Sequence, residues 1–256
     1  DTTSGETLAF SGSGTVSSAN VQNNQSITLG SIAIADGSGG GLASNYNLTT
    51  GTFDISQKWV SVGGQKIYDA TTTVSSSDLD VTGEVTGESI SITGTGSVTD
   101  KNVGSGKTID ISGLSLSDGS HSASNYTIGT TSFAITRRNL SISGEKVYDG
   151  TGTVLASQID TVNTAGGETL TISGEGSVSL PSVGTNKSIT LNTLGISDGT
   201  NGTIGLASNY TLNSGSFDIT TKPITLSGSR QYDGTTNVSS SDLTLIGQVS
   251  GESISI

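Results

Sequence analysis

The 256-residue chain has no cysteine, no methionine, two prolines, one tryptophan and one histidine. Without cysteine no disulfide staples it, so stability must come from packing and strand pairing. A single histidine, His121, argues against a Ser-His-Asp triad and against a histidine-based metal site. Lys and Arg number 10 against 22 Asp and Glu, a net charge of −12, which leaves no basic patch for nucleic acid. The acidic charge is spread thinly and reads as a source of solubility and of repulsion between neighbouring domains. Apolar residues make up 30% and aromatics 4%, too few for one large core. No apolar run is long enough to cross a membrane, and no signal peptide opens the chain.

What the chain does have is a long-period repeat. All six tyrosines fall in two motifs. Tyr68, Tyr148 and Tyr232 stand in YDA, YDG and YDG, and Tyr46, Tyr126 and Tyr210 each end ASNY, with spacings of 80 and then 84 residues in both series. Such a period marks an array of similar domains. The units read as 57–136 and 137–220, complete, with 1–56 matching the later part of a unit and 221–256 the early part. The chain thus starts and stops inside a repeat and reads as an excerpt, with anchoring and secretion signals expected outside it.

Two further landmarks recur: Gly-Glu at Glu6, Glu88, Glu168 and Glu252, and Asp-Gly at Asp36, Asp118 and Asp198. The YDG aspartate precedes the glutamate by 19 residues, the glutamate precedes the Asp-Gly aspartate by 30, and the ASNY asparagine precedes the next tyrosine by 23, each time. Only the stretch from Asp-Gly to the ASNY asparagine varies, at 9, 7 and 11 residues. Paired strands with one buried face tolerate no slip, whereas a surface loop does. The variable Gly-rich stretch is therefore a loop tip on a fixed framework.

Segments such as SISIT and TIDIS alternate apolar and polar residues, as strands with one wet face do. Strands are expected near 59–62, 72–74, 89–93, 107–112, 114–117, 126–128 and 131–136, with one short helical turn at SSSDL (75–79 and 239–243). The fold class is all-β: a tandem array of small sandwich-like or mixed-sheet domains forming an elongated rod. Phe53, Phe133 and Phe217 also repeat at 80 and 84, so they and the six tyrosines are read as core and framework residues. The asparagines Asn45, Asn125 and Asn209 and the aspartates Asp69, Asp149 and Asp233 are read as turn formers through side-chain to backbone hydrogen bonds. Gly150 and Gly234 would supply a positive φ after the aspartate, a role for which Ala70 is poorly suited.

Chemistry is sparse. The recurring Glu88 and Glu168 read as framework rather than as the facing acids of a glycosidase, and no catalytic residue is assigned. Gly106, Lys107 and Thr108 lack the upstream glycine of a phosphate loop. No cofactor or metal is assigned, although calcium at Asp36, Asp118, Asp198 or the Asp78–Asp80 pair stays open, with no EF-hand or nonapeptide pattern to support it. Trp59, whose counterparts are Asn139 and Pro223, sits where two repeats meet and reads either as an interdomain contact or as a ligand-stacking residue. His121, in the variable loop, is the other candidate for ligand contact.

The stretches KIYDATT, KVYDGTG and RQYDGTT, then Gly-Glu, DKNVGSGKTIDI and ASNYTI, resemble the YDG-type repeat of large, filamentous-haemagglutinin-like bacterial surface adhesins. The resemblance implies a stalk segment that carries binding domains outward for adhesion or biofilm formation, extracellular or on the bacterial surface, with no catalytic residues. Its partners would be neighbouring repeats, with other copies of the adhesin or surface glycans as further candidates, and no nucleic acid or inserted membrane. Two alternatives stand beside it: a glycan- or protein-binding module acting through the loops 37–44, 119–124 and 199–208, or a filament former completing half-units end to end.

Overall fold

The computed structural model describes residues 5–254. Its regular elements there are strands and single three-residue 3-10 turns, so the protein is all-β, with several small sheets and no barrel. Alternation explains the strands. In Ile90–Val98, Ile90, Ile92 and Val98 are buried while Ser91 and Thr93 face out.

By internal contact the chain divides into two compact units. The first comprises Asp1–Gln65, Thr73–Thr99 and Ser105–Ala134, and the second Lys66–Thr72, Asp100–Gly104 and Ile135–Ile256. The division does not follow the repeat. Two short pieces of repeat 57–136, those around Tyr68 and Asn102, belong with the second unit.

In the first unit Ile90–Val98 pairs antiparallel with Thr73–Ser75, Ile109–Asp110 and Leu114–Asp118. A second four-stranded sheet runs in the order Leu79–Thr82, Lys58–Ile67, Tyr126–Thr136, Gly104–Lys107. The strands expected at 126–128 and 131–136 are thus one continuous strand. Residues 5–56 add two antiparallel pairs, Leu8–Ser11 with Ala33–Asp36 and Gln22–Ser26 with Thr52–Ile55.

In the second unit a seven-stranded sheet has the path Thr153–Leu155, Glu175–Val178, Gly184–Thr190, Ser216–Thr220, Arg138–Val147, Ile159–Val162, with Tyr210–Leu212 also pairing Arg138–Val147. The sheet is mixed: Arg138–Val147 pairs parallel to Tyr210–Leu212 and to Ser216–Thr220, from Ser143 opposite Ser216 to Val147 opposite Thr220. A three-stranded sheet centres on Glu168–Ser173, between Gly195–Asp198 and Thr203–Ile204. Ile142, Val154, Val178, Ile189, Phe217 and Ile219 form the buried core. Thr225–Gly228 pairs with Leu243–Ile246 in the last stretch.

The expected equivalence of the phenylalanines fails at one position. Phe133 and Phe217 are buried, but Phe53 is 52% exposed. Phe217 shares one buried core with Ile142, Val154 and Ile159 from the early part of its repeat, among others. Phe53 lies in Thr52–Ile55, one strand of a two-stranded sheet with Gln22–Ser26, whereas Ser216–Thr220 is an inner strand of the seven-stranded sheet. The SSSDL turns are present as Ser76–Asp78 and Ser240–Asp242, and Ala156–Gln158 occupies the same place between them.

Candidate functional site

The YDG motif builds one tight turn three times. Asp69 Oδ1 accepts from the Thr71 amide and hydroxyl, both at 2.9 Å, and Asp149 and Asp233 do the same with Thr151 and Thr235. The residue after the aspartate has positive φ in all three: Ala70 at 65°, Gly150 at 81° and Gly234 at 75°. Ala70 therefore adopts the left-handed conformation that its side chain disfavours, because the turn's hydrogen bonds leave no alternative. A cation three residues before the aspartate locks each turn: Lys66 at 2.8 Å from Asp69, Lys146 at 2.9 Å from Asp149 and Arg230 at 2.9 Å from Asp233. Burial pushes the Asp69 carboxyl up, but donation from Lys66 and Thr71 outweighs it and holds the group below its ordinary range. The cation was visible in KIYD, KVYD and RQYD, yet spacing alone did not show that it folds back onto the aspartate.

The ASNY motif also opens a turn, a 3-10 segment at Ala43–Asn45, Ala123–Asn125 and Ala207–Asn209. Its first amide is held by the aspartate of Asp-Gly: Ala43 by Asp36 at 2.7 Å, Ala123 by Asp118 at 2.7 Å and Ala207 by Asp198 at 2.8 Å. One hydrogen bond thus closes the base of the variable loop whatever its length. These carboxylates, left open above as calcium ligands, are engaged with backbone. Among the described residues no group of three His, Cys, Asp or Glu side chains converges as a metal site.

Asn209 and Asn125 do not act within their own turn as expected. Asn209 Oδ1 accepts from the Val103 amide at 2.9 Å, and its Nδ2 donates to Asn102 Oδ1 at 2.9 Å. Asn125 makes the same pair of bonds with Val21 and Asn20, at 2.8 and 2.9 Å. Each asparagine therefore grips the preceding repeat.

The tyrosines and the Gly-Glu glutamate complete this grip. Glu168, 3% exposed, is the centre. Tyr210, from its own repeat, donates to Oε2 at 2.8 Å; Tyr68, from the preceding repeat, donates to Oε1 at 2.7 Å; and Lys101, also from the preceding repeat, donates to Oε1 at 2.8 Å. The Tyr68 and Tyr210 rings meet edge to face, centroids 5.5 Å apart and planes 80° apart, a favourable quadrupolar arrangement. The Tyr210 hydroxyl accepts from the Ala165 amide at 3.0 Å, so both phenol oxygens are satisfied within one buried network.

The electrostatics follow. Burial pushes the Glu168 carboxyl up, but Lys101, Tyr68 and Tyr210 stabilise the anion more strongly and hold it below the usual carboxylate range. Burial, with the Glu168 charge behind it, pushes the Tyr210 phenol up to about 12 and raises Tyr68 in the same sense. A buried carboxylate with three donors is saturated and held in place; its chemistry is attachment.

The own-repeat half recurs elsewhere. Tyr46 donates to Glu6 at 2.6 Å, and Tyr126 donates to Glu88. The cross-repeat half recurs as Tyr148 donating to Glu252. The tyrosines read as the framework of one unit therefore divide into two roles: ASNY tyrosines serve their own repeat, and YDG tyrosines serve the next. The core reading does not hold for every tyrosine: Tyr68 is 1% exposed and Tyr232 97%.

The two residues singled out for ligand contact stand apart. Trp59 is 75% exposed, with its indole lying over Gly129, whose counterpart in the next repeat is Asn213. His121 Nδ1 lies 2.9 Å from the Ser120 hydroxyl, and Nε2 lies 3.9 Å from Glu88 Oε1. Neither joins the tyrosine–glutamate network described at Glu168.

A β-repeat whose signature residues join one repeat to the next is a tandem-array protein. Residues 57–133 and 136–217 each match the YDG domain, and the chain belongs to that family. No curated protein and no solved structure matches it.

Proposed function

We propose that this chain is a stalk segment of a secreted or surface-attached bacterial adhesin, extending binding domains away from the cell for adhesion or biofilm formation. The observation that carries the reading is the Glu168 network, in which the family's signature residues are spent on joining successive repeats. A stalk needs firm joints more than clefts, because slack between modules shortens its reach. The two YDG domain matches in tandem support the same reading. The test is to insert a second copy of 137–220 and follow the maximum dimension by small-angle scattering. A constant increment per added repeat is expected, and no growth on insertion overturns the stalk.

A second reading, recognition of glycans or proteins through the loops 37–44, 119–124 and 199–208, is favoured by one observation. The loops differ in length while the Asp-to-Ala bond at their base is kept, so they vary without disturbing the fold. A glycan array probed with loop-exchanged chains tests it: binding should follow the loop, and identical profiles after exchange rule it out.

A further inference from the structure

Within the first unit, the strand Lys58–Ile67 buries Val60 and Val62 and sets Trp59, Ser61, Gly63 and Gln65 on its outer face. Thr82 stands opposite Ser61, and Asp80 opposite Gly63, on the neighbouring strand. On the other side the Ser61 hydroxyl lies 2.7 Å from that of Thr130. Gly63 has no side chain, so the middle of this face is sunken. Two hollows, of about 430 and 530 Å³, share Gly64 and Asp80; the first is also bordered by Ser61, Thr82 and Thr130, the second by Gln65, Ser77 and Asp78. Asp36, Asp118 and Asp198 hold backbone amides, whereas no hydrogen bond or ion pair with the described residues engages the carboxylates of Asp78 and Asp80. Trp59 precedes Ser61 by two residues, about 7 Å along the strand. Its indole lies flat because position 129 is glycine: a Cβ there would be 3.2 Å from Trp59 Cβ and 3.3 Å from the ring. Shielding Gly129 engages one face of the indole and leaves the other to solvent. In the next repeat Asn139 and Asn213 replace the Trp59–Gly129 pair, Ser143 replaces Gly63 and Val162 replaces Thr82. Platform and hollow thus belong to one repeat and change together, as framework residues do not. Asn139 is exposed too, although the YDG turn at Tyr68 docks on its repeat, so docking of that turn does not cover this position.

We infer that this face is a binding groove for a neutral glycan chain, with one sugar ring stacked on Trp59 and the following rings laid toward Asp80 and Asp78. A pyranose presents a C–H face that suits the negative face of an indole, and a rim of hydroxyls. Those hydroxyls donate to the two free carboxylates, which makes the stronger, charge-assisted bonds, and exchange hydrogen bonds with Ser61, Thr82 and Thr130. From Trp59 to Gln65 the face runs about 20 Å, room for several rings in a row. The charge selects among glycans. No Lys or Arg borders either hollow, and both charged groups are acids, so a sialylated or sulfated chain meets repulsion where a neutral one does not. The site lies on a sheet face, apart from the variable loops, and does not depend on the stalk reading.

The 256-residue chain applied to an array of neutral and sialylated oligosaccharides tests it. Neutral oligosaccharides should bind and their sialylated forms should not. Each neutral hit is then titrated by fluorescence, which reads the site directly because Trp59 is the sole tryptophan; its emission should shift on binding. Trp59→Ala, at a 75% exposed position, should weaken binding by about tenfold or more, the scale of losing an aromatic anchor, and is followed by calorimetry. Asp80→Asn should weaken it by about tenfold, the worth of a hydrogen bond to a charged group. Replacing 119–122 by 199–206 should leave the affinity unchanged, which separates this groove from recognition through the loops. Far-UV circular dichroism verifies the fold of each variant. An array with no neutral hit, a preference for sialylated chains, full affinity in the folded Trp59→Ala chain, or binding that follows the loop exchange overturns the inference.

Discussion

Ala70 bears a conformational cost that its counterparts Gly150 and Gly234 avoid. All three have positive φ, and left-handed backbone costs an L-residue about 1–2 kcal/mol. Ala70→Gly should therefore stabilise the protein by about 1 kcal/mol, read as a rise in urea midpoint. Gly150→Ala should destabilise it by more, because an added Cβ would also lie 2.9 Å from Val249 Cγ1. At the joint, Tyr68→Phe leaves a buried carboxylate one donor short and should cost about 1.5–3 kcal/mol. Tyr232→Phe, at an exposed position, should leave the stability of an isolated chain unchanged.

The same residues set a pH window. The carboxyl of Glu168 is depressed in the folded state, so its contribution is present above the unfolded value, about 4.3. It is lost as pH falls through the lower folded value. The Tyr210 phenol is raised to about 12, so its contribution is present below the unfolded value of about 10 and is lost as pH rises through about 12. Glu168→Gln should flatten the acid limb of stability against pH, measured by denaturation from pH 2 to 7. An acid limb as steep as wild type would place the titrating group elsewhere.

Among the elements, the variable loop shows how a repeat tolerates insertion. Strand register cannot slip, so the length change is confined between Asp-Gly and the 3-10 turn, and one carboxylate closes its base. Replacing 119–122 by 199–206 should leave stability nearly unchanged. Asp118→Ala should cost about 1 kcal/mol, as loss of a side-chain cap on a turn amide does. Thermal melts of the two variants separate loop length from loop closure. This part of the fold was legible in the sequence: constant spacings outside one segment located the framework, and alternation located the strands. The joint was not legible. A tyrosine and a glutamate recurring at the same period look identical whether they meet within a repeat or across two. Tyr68 meets Glu168, 100 residues away, rather than Glu88, 20 away. The asparagines misled for the same reason, since Asn209 and Val103 are 106 residues apart. Phe53 departs from the core reading too, exposed in a two-stranded sheet where Phe133 and Phe217 are buried in larger ones.

For the whole molecule, the sequence repeat and the folding unit are out of phase. The pieces around Tyr68 and Asn102 fold with the repeat that follows them. Tyr68→Ala should accordingly raise amide exchange around Ala165 and Asn209, in a repeat to which Tyr68 does not belong by sequence. Exchange confined to residues near 68 would refute that coupling. Excising 57–136 or 137–220 at the sequence boundary should likewise give less stable products than cutting so that a YDG turn travels with the glutamate it serves.

The joints are also not alike. Glu168 is met by Lys101 as well as by two tyrosines, but the position equivalent to Lys101 in the next repeat is Pro181. The Glu252 joint therefore has no cation supplied from that position. With one charged donor fewer on its carboxylate, the lysine-free link should part before the Glu168 link when the chain is pulled, as force spectroscopy would show. A single side chain per repeat thus grades the links between successive repeats.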